Sequence, residues 1–211
     1  IAAALVPTVP VPGTLPPSMW HMAVGIGGEM MFGLALGMVL SLVFVAAQWA
    51  GDIIGQQMGL NLSEVFDPQF GAQGSVVSEM YFMLMLVMFL VLNGHHAVLS
   101  GLRDSFEHLP LLSIAVSPDV FEIVIGLLAS STSLAVQLAA PMLLTMLVVD
   151  LVLGVLGKTM PQFNLMTAGL SLRSAIGMVL LIIGLAMSSR VLQESMVASI
   201  DAFREACVGA F

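Results

Sequence analysis

The feature that most limits this chain is a set of long apolar runs without charge. A helix needs roughly 20 apolar residues to cross a hydrocarbon core of about 30 Å. Met30–Gly51 has no charged residue in 22 positions, Met80–Leu102 has none in 23, and Ile123–Val149 has none in 27. Ser174–Ser189 is only 16 residues long. Joined to Asn164–Leu172 it becomes long enough, provided Arg173 is paired or snorkels to an interface. Charged residues make up 9% of the chain, against about 25% in soluble domains. These runs predict an all-α membrane protein, with 1–211 as one helical unit.

The few charges narrow the class of partners. Thirteen acids against five Lys and Arg leave a formal charge of −8. Nucleic acid needs a basic surface, so this balance argues against it as a partner. The scarcity of Lys and Arg also leaves the positive-inside rule little to count, so orientation is weakly determined. The single cysteine, Cys207, rules out an internal disulfide framework and a cysteine-based zinc site. The 20 Gly and 17 Met suit close or adaptable helix contacts, because Gly lets backbones approach and Met fills irregular gaps.

Proline and glycine punctuate the chain. Ile1–Val6 reads as the tail of an earlier helix, so N-terminal helices are expected to precede it. Residues 7–17 carry five prolines, whose missing N–H donors make an extended linker. Ser18 is placed to cap the first full helix. Gly33 and Gly37 form a G-x-x-x-G pair in that helix, a spacing that favours close helix packing over lipid exposure. A helix end is predicted near Met58, followed by an irregular stretch to about Gly74, since Asp67–Pro68 biases the backbone away from helix. Pro141 interrupts the third run and is expected to kink it. From Arg190 onward, apolar Val191, Ile200, Phe203, Val208 and Phe211 alternate with charged residues. Residues 190–211 therefore read as an amphipathic C-terminal helix on a lipid or partner surface.

Candidate sites lie at the breaks. Residues 55–74 hold Gln57, Met58 and Gly59, then Phe66, Asp67, Pro68, Phe70 and Gly71. They read either as a hairpin loop or as a constriction whose Met and Phe side chains fill a pore. Asn93, Gly94 and His95 sit inside an apolar run. An interhelical hydrogen-bond cluster is the economical role for them, because no further ligands are available for a metal. Asp150 is either a functional intramembrane carboxylate or the mark of a helix end near Lys158. Signatures of zinc proteases, serine hydrolases, P-loops and dinucleotide folds do not occur. No enzymatic activity, cofactor or metal is expected.

The ordered set Gln57–Met58–Gly59, Asp67–Pro68, Leu92–Asn93–Gly94–His95, Ser105–Phe106, Leu109–Pro110, Ala140–Pro141, Leu153–Gly154 and Met160–Pro161–Gln162–Phe163–Asn164 resembles the FliR family of type III secretion export-gate proteins. The similarity runs from about Gly28 to Leu185 and looks closer to the flagellar branch than to the virulence injectisome branch. His96 and Lys158 depart from the common pattern, in which arginine is frequent at the latter position.

The resemblance implies a single copy in a helical spiral with FliP-like and FliQ-like membrane subunits, served by a separate large export-gate protein. It implies a place in the bacterial inner membrane at the flagellar basal body, with unfolded secreted subunits passing through a central channel. It implies kinked hairpins that meet partners as well as lipid, and a plug formed by residues 55–74, which favours the constriction reading. Gly33, Gly37, Asn93, Gly94, His95, Pro141, Asp150, Pro161, Gln162 and Asn164 are then expected at helix or partner contacts. The rival classes are an injectisome component and a proton-coupled solute carrier using Asp150 and His95.

Overall fold

The computed structural model describes residues 18–60, 75–108, 119–159 and 165–208. They form five α-helices: α1 (Met19–Met58), α2 (Val76–Val91), α3 (Gly94–His108), α4 (Asp119–Thr159) and α5 (Leu165–Val208). No strand occurs among the described residues, so the all-α expectation holds. By length and composition, α1, Ile125–Thr159 of α4 and Gly169–Cys207 of α5 can each cross a membrane. The bent pair α2 and α3 adds a fourth candidate span.

The helix ends follow local chemistry. Ser18 caps α1, its Oγ accepting the His21 backbone N–H at 3.4 Å, as its position predicts. At the far end Gly59 has φ +74°. Its N–H donates to the Gln56 carbonyl at 3.0 Å and the Leu60 N–H to the Gly55 carbonyl at 3.1 Å. Those two bonds are a Schellman motif, which needs a left-handed residue at Gly59. The break between α2 and α3 is built on Asn93 at φ 55°. Asn tolerates that region better than other non-glycine residues. Its carbonyl then accepts the His96 and Ala97 N–H groups at 3.0 and 3.2 Å, starting α3 at a 65° bend. Gly94 is required beside it, since a Cβ there would strike the Phe89 ring.

Two of the long runs are continuous helices in the structure. α4 stays helical through Pro141. The C-terminal residues 190–208 are not a separate element but the last part of the 44-residue α5. A helix propagates wherever nothing stops it, and no Gly–Pro signal lies between Ser189 and Val191. The Pro-rich residues 7–17 lie outside the described residues.

The chain divides into two compact units. One draws on Ile1–Val43, Val87–Ser130 and Ser195–Phe211 and the other on Phe44–Leu86 and Ser131–Glu194. The first has a buried cluster of Leu36, Val39, Phe203, Ala206 and Cys207, flanked by Phe32, Val98 and Leu127. The amphipathic face of the C-terminal residues therefore covers a core of this chain, with Asp201, Arg204 and Glu205 on the outside. Gly101 faces that cluster closely, because a Cβ there would lie 2.9 Å from the Phe203 ring and 3.2 Å from the Cys207 Sγ.

The second unit packs α1 through small residues. Ala46, Ala47, Ala50 and Ile54 of α1 are buried, with Val77, Tyr81 and Met85 of α2 and Leu138, Ala139, Met142 and Met146 of α4. A Cβ at Gly51 would sit 2.5 Å from the Ser78 Cα, so the two backbones touch there. The Phe44 and Phe82 rings meet at 5.8 Å, and the Tyr81 hydroxyl is hydrogen-bonded to Ser188. Outside these cores, Leu34, Leu144, Leu151, Val155, Ile182 and Met187 are exposed. Only 22% of the most apolar window of α4 is buried within the chain. A water-soluble protein rarely exposes so much contiguous apolar surface, so this surface belongs against lipid or protein.

Candidate functional site

The richest polar cluster lies at the end of α1, within the second unit. Along α5, Arg173, Ser174 and Gly177 recur at helical spacing and so share one face. Along α4, Met146 and Asp150 do the same at i, i+4. Arg173 Nη2 donates to Gln57 Oε1 at 2.9 Å and to Asp150 Oδ2 at 3.0 Å. Ser174 Oγ donates to the Met58 carbonyl at 3.0 Å, a group that α1 can no longer satisfy at its terminus. The Met58 side chain is fully buried and fills a slot that exists because residue 177 is glycine. A Cβ there would lie 2.6 Å from Met58 Cγ and 3.3 Å from Met146 Cε. Gly59 meets α5 as well, its Cβ position lying 2.8 Å from Leu170 Cδ1.

The ion pair is neither fully buried nor fully wet. The Arg173 and Asp150 side chains are 28% and 38% exposed. Such a pair contributes little where water screens it, but its loss leaves a carboxylate unpaired among apolar helices. Chemically the cluster is a fastening. Its one hydroxyl, on Ser174, is committed to the Met58 carbonyl. Among the described residues no group of three or more His, Cys, Asp or Glu side chains gathers to hold a metal.

Gln57, Met58, Gly59 and Asp150 therefore come together, although from sequence Asp150 stood apart from the Gln57–Gly59 group, among the expected helix or partner contacts. The need to pair Arg173 was legible, while the identity of its partners was not. Asn93, Gly94 and His95 lie at the bend of the first unit instead. There the His95 and His96 ring centroids lie 4.4 Å apart, with the rings tilted by 43°. His95 Nδ1 is buried without a hydrogen-bond partner among the described residues, so the expected interhelical bond is not made through that atom. Pro141 is exposed on α4, and Thr145 Oγ1 donates to its carbonyl at 2.9 Å. At Gly33 and Gly37 a Cβ would meet nothing within 4 Å, so the close packing expected there is not made with any described part of this chain. Phe66, Asp67, Pro68, Phe70, Gly71, Pro161, Gln162 and Asn164 lie outside the described residues.

The glycines that do bring surfaces together, Gly51, Gly101 and Gly177, were not singled out by sequence. A signal existed for the first. Ala47, Gly51 and Gly55 repeat a small residue every fourth position, as close helix contacts require.

Residues 1–198 match the family described as bacterial export proteins, family 1. The flagellar biosynthetic protein FliR of Bacillus subtilis is 31% identical over 158 residues, which cover 74% of this chain and 61% of that protein. The protein of the same name from Aquifex aeolicus is 34% identical over 160 residues, covering 74% of this chain and 60% of the relative. That of Escherichia coli is 31% identical over 156 residues, covering 72% and 59%. The matched regions thus span about three fifths of the length of these relatives. A match running along nearly the whole chain, on a fold of long apolar helices, makes the chain a member of the family of bacterial export proteins, family 1.

Proposed function

We propose that this chain is a membrane component of the flagellar protein-export apparatus, which forms part of the channel for unfolded flagellar subunits. The observation that carries this reading is the likeness to relatives named flagellar biosynthetic protein FliR, spread over more than 70% of the chain. The exposed apolar faces of α4 and α5 support it, since they suit a protein surrounded by lipid and by other apolar subunits. The open glycine face at Gly33 and Gly37 fits a partner helix. On this reading the partners are FliP-like and FliQ-like subunits arranged in a spiral in the inner membrane at the basal body. The large export-gate protein of the same system acts beside them.

Within that assembly residues 55–74 plug the pore, with Gln57, Met58 and Gly59 at one root of the plug. Phe66, Asp67, Pro68, Phe70 and Gly71 supply its body. An apolar plug excludes ions by excluding water. Deleting Phe66–Gly71 tests this directly. The assembly should still be recovered whole from mild detergent, as judged by the mass of the co-purifying complex, while the membrane becomes leaky to small ions. A membrane that stays tight after the deletion removes the gating role, and recovery of a lone monomer from the parent strain removes the export-gate reading.

A further inference from the structure

Arg173 is a charged side chain that touches two other helices of the second unit at once. Both contacts are made by one atom, Nη2, whose two N–H bonds go to Gln57 of α1 and Asp150 of α4. The planar fork that usually distinguishes arginine from lysine is not engaged here. The Nε–H is buried and has no hydrogen-bond partner among the described residues. Ser174 and Gly177, on the same face of α5, receive the carbonyl and the side chain of Met58.

We propose that Arg173 is a positioning residue that docks the C-terminal turn of α1 onto α4 and α5, and that the site requires its cationic nitrogen rather than its guanidinium plane. The physical need is one of register. Helices in an apolar medium lack a hydrophobic drive to align, so shape and polar bonds set how far one slides along another. The buried α1 residues Ala46, Ala47 and Ala50 are small, and Gly51 lies against the α2 backbone at Ser78, so these side chains offer few steps to stop a slide. A cation held between an amide oxygen and a carboxylate supplies the stop. Lysine meets the same requirement, because its ammonium has three donors. Its stem is one atom shorter, a gap the rotatable Gln57 amide can close, and it has no Nε–H to satisfy.

A cysteine pair reads the docking. The position of a Cβ at residue 177 lies 2.6 Å from Met58 Cγ. Met58→Cys with Gly177→Cys, in a Cys207→Ala background, therefore brings two thiols within disulfide reach. The full-length protein is oxidised mildly in the membranes of cells that express its partners, and the rate of cross-linking is followed. Arg173→Lys should cross-link at the parent rate. Arg173→Met should be slower by about fivefold or more, the factor that corresponds to losing an interaction of about 1 kcal/mol.

Equal rates for Arg173→Met and the parent overturn the proposal, as does an Arg173→Lys protein as slow as Arg173→Met. Should the Met variant fail to accumulate, Arg173→Gln decides, since it keeps hydrogen bonding but not charge. Cross-linking of Arg173→Gln at the parent rate overturns the need for a cation, and slow cross-linking supports it. The functional arm rests on the plug reading above, and ion leak is measured on the same strains without the cysteines. Lost docking with a tight membrane leaves the positioning role standing and removes the plug. Intact docking with a leaky membrane removes the positioning role.

Discussion

Replacing Gly51 with alanine sets a methyl group into the contact between α1 and α2, where the structure has no room for it. The added Cβ would sit 2.5 Å from Ser78 Cα, 2.7 Å from Ser78 N and 2.8 Å from the Val77 carbonyl oxygen. Carbon atoms in contact prefer about 3.5–4.0 Å, so the helices must part by roughly 1 Å. All three obstructing atoms are backbone, and no side-chain rotation relieves them. Parting the helices also loosens Ala47, Ala50 and Ile54, which are at most 2% exposed. Overpacking of this kind costs about 1–3 kcal/mol, and the rigid obstruction points to the upper half of that range. Alanine returns up to about 1 kcal/mol through its better helix propensity. The net loss is about 1–3 kcal/mol, which at roughly 2–4 °C per kcal/mol lowers Tm by about 2–12 °C.

The assay is thermal unfolding of the detergent-solubilised chain, with Gly33→Ala and Gly37→Ala as internal references. At those two positions a Cβ meets nothing within 4 Å, so Tm should hold or rise slightly. If Gly51→Ala melts with the parent, or if the two reference variants melt as early as Gly51→Ala, the close-approach reasoning is wrong. Gly33→Leu extends the comparison to the assembly. It should leave the isolated chain unchanged and reduce recovery of partner subunits, and full recovery would show that the open face contacts no partner helix.

Two further outcomes follow from local geometry. Asn93, held at φ 55°, should accept glycine with little change, whereas Asn93→Val should cost about 1–2 kcal/mol because a β-branched residue is strained there. Circular dichroism melts of the two variants compare them directly, and equal stability would argue against the left-handed turn. The Arg190–Glu194 pair, at 2.9 Å but with side chains 87% and 66% exposed, should matter little. Arg190→Ala is expected to leave Tm within about 1 °C, and a larger fall would mean that the pair is covered in the assembly.

Much of the local structure was legible because its causes are local. Ser18 caps α1 as its position predicts, and the end at Met58 follows from Gly59 in the next position. The α2–α3 break follows from Asn93–Gly94, since only a residue tolerant of positive φ can turn there. Less was legible where distant residues decide. Gly33 and Gly37 carry a recognised spacing yet touch no described part of this chain, while Gly51, Gly101 and Gly177 meet Ser78, Phe203 and Met58. A glycine's spacing reports that close approach is allowed, not which surface approaches. The C-terminal residues read correctly as amphipathic, but whether lipid, a partner or this chain's own Leu36 and Val39 covers them is a tertiary matter.

The sequence by itself determined the class: uncharged runs too long for a soluble core, broken at Gly, Asn and Pro, in the order of an export-protein family. Hydrophobicity and backbone preference are properties of the residues and their neighbours, so they survive in the linear string. Only the tertiary structure decided that Arg173 lies between Gln57 and Asp150, 116 and 23 positions away along the chain. In an apolar medium a charge must find a partner, and the residue alone states that need. The partner is chosen by which helix faces meet, and that choice is set by packing of small residues such as Gly51 and Gly177.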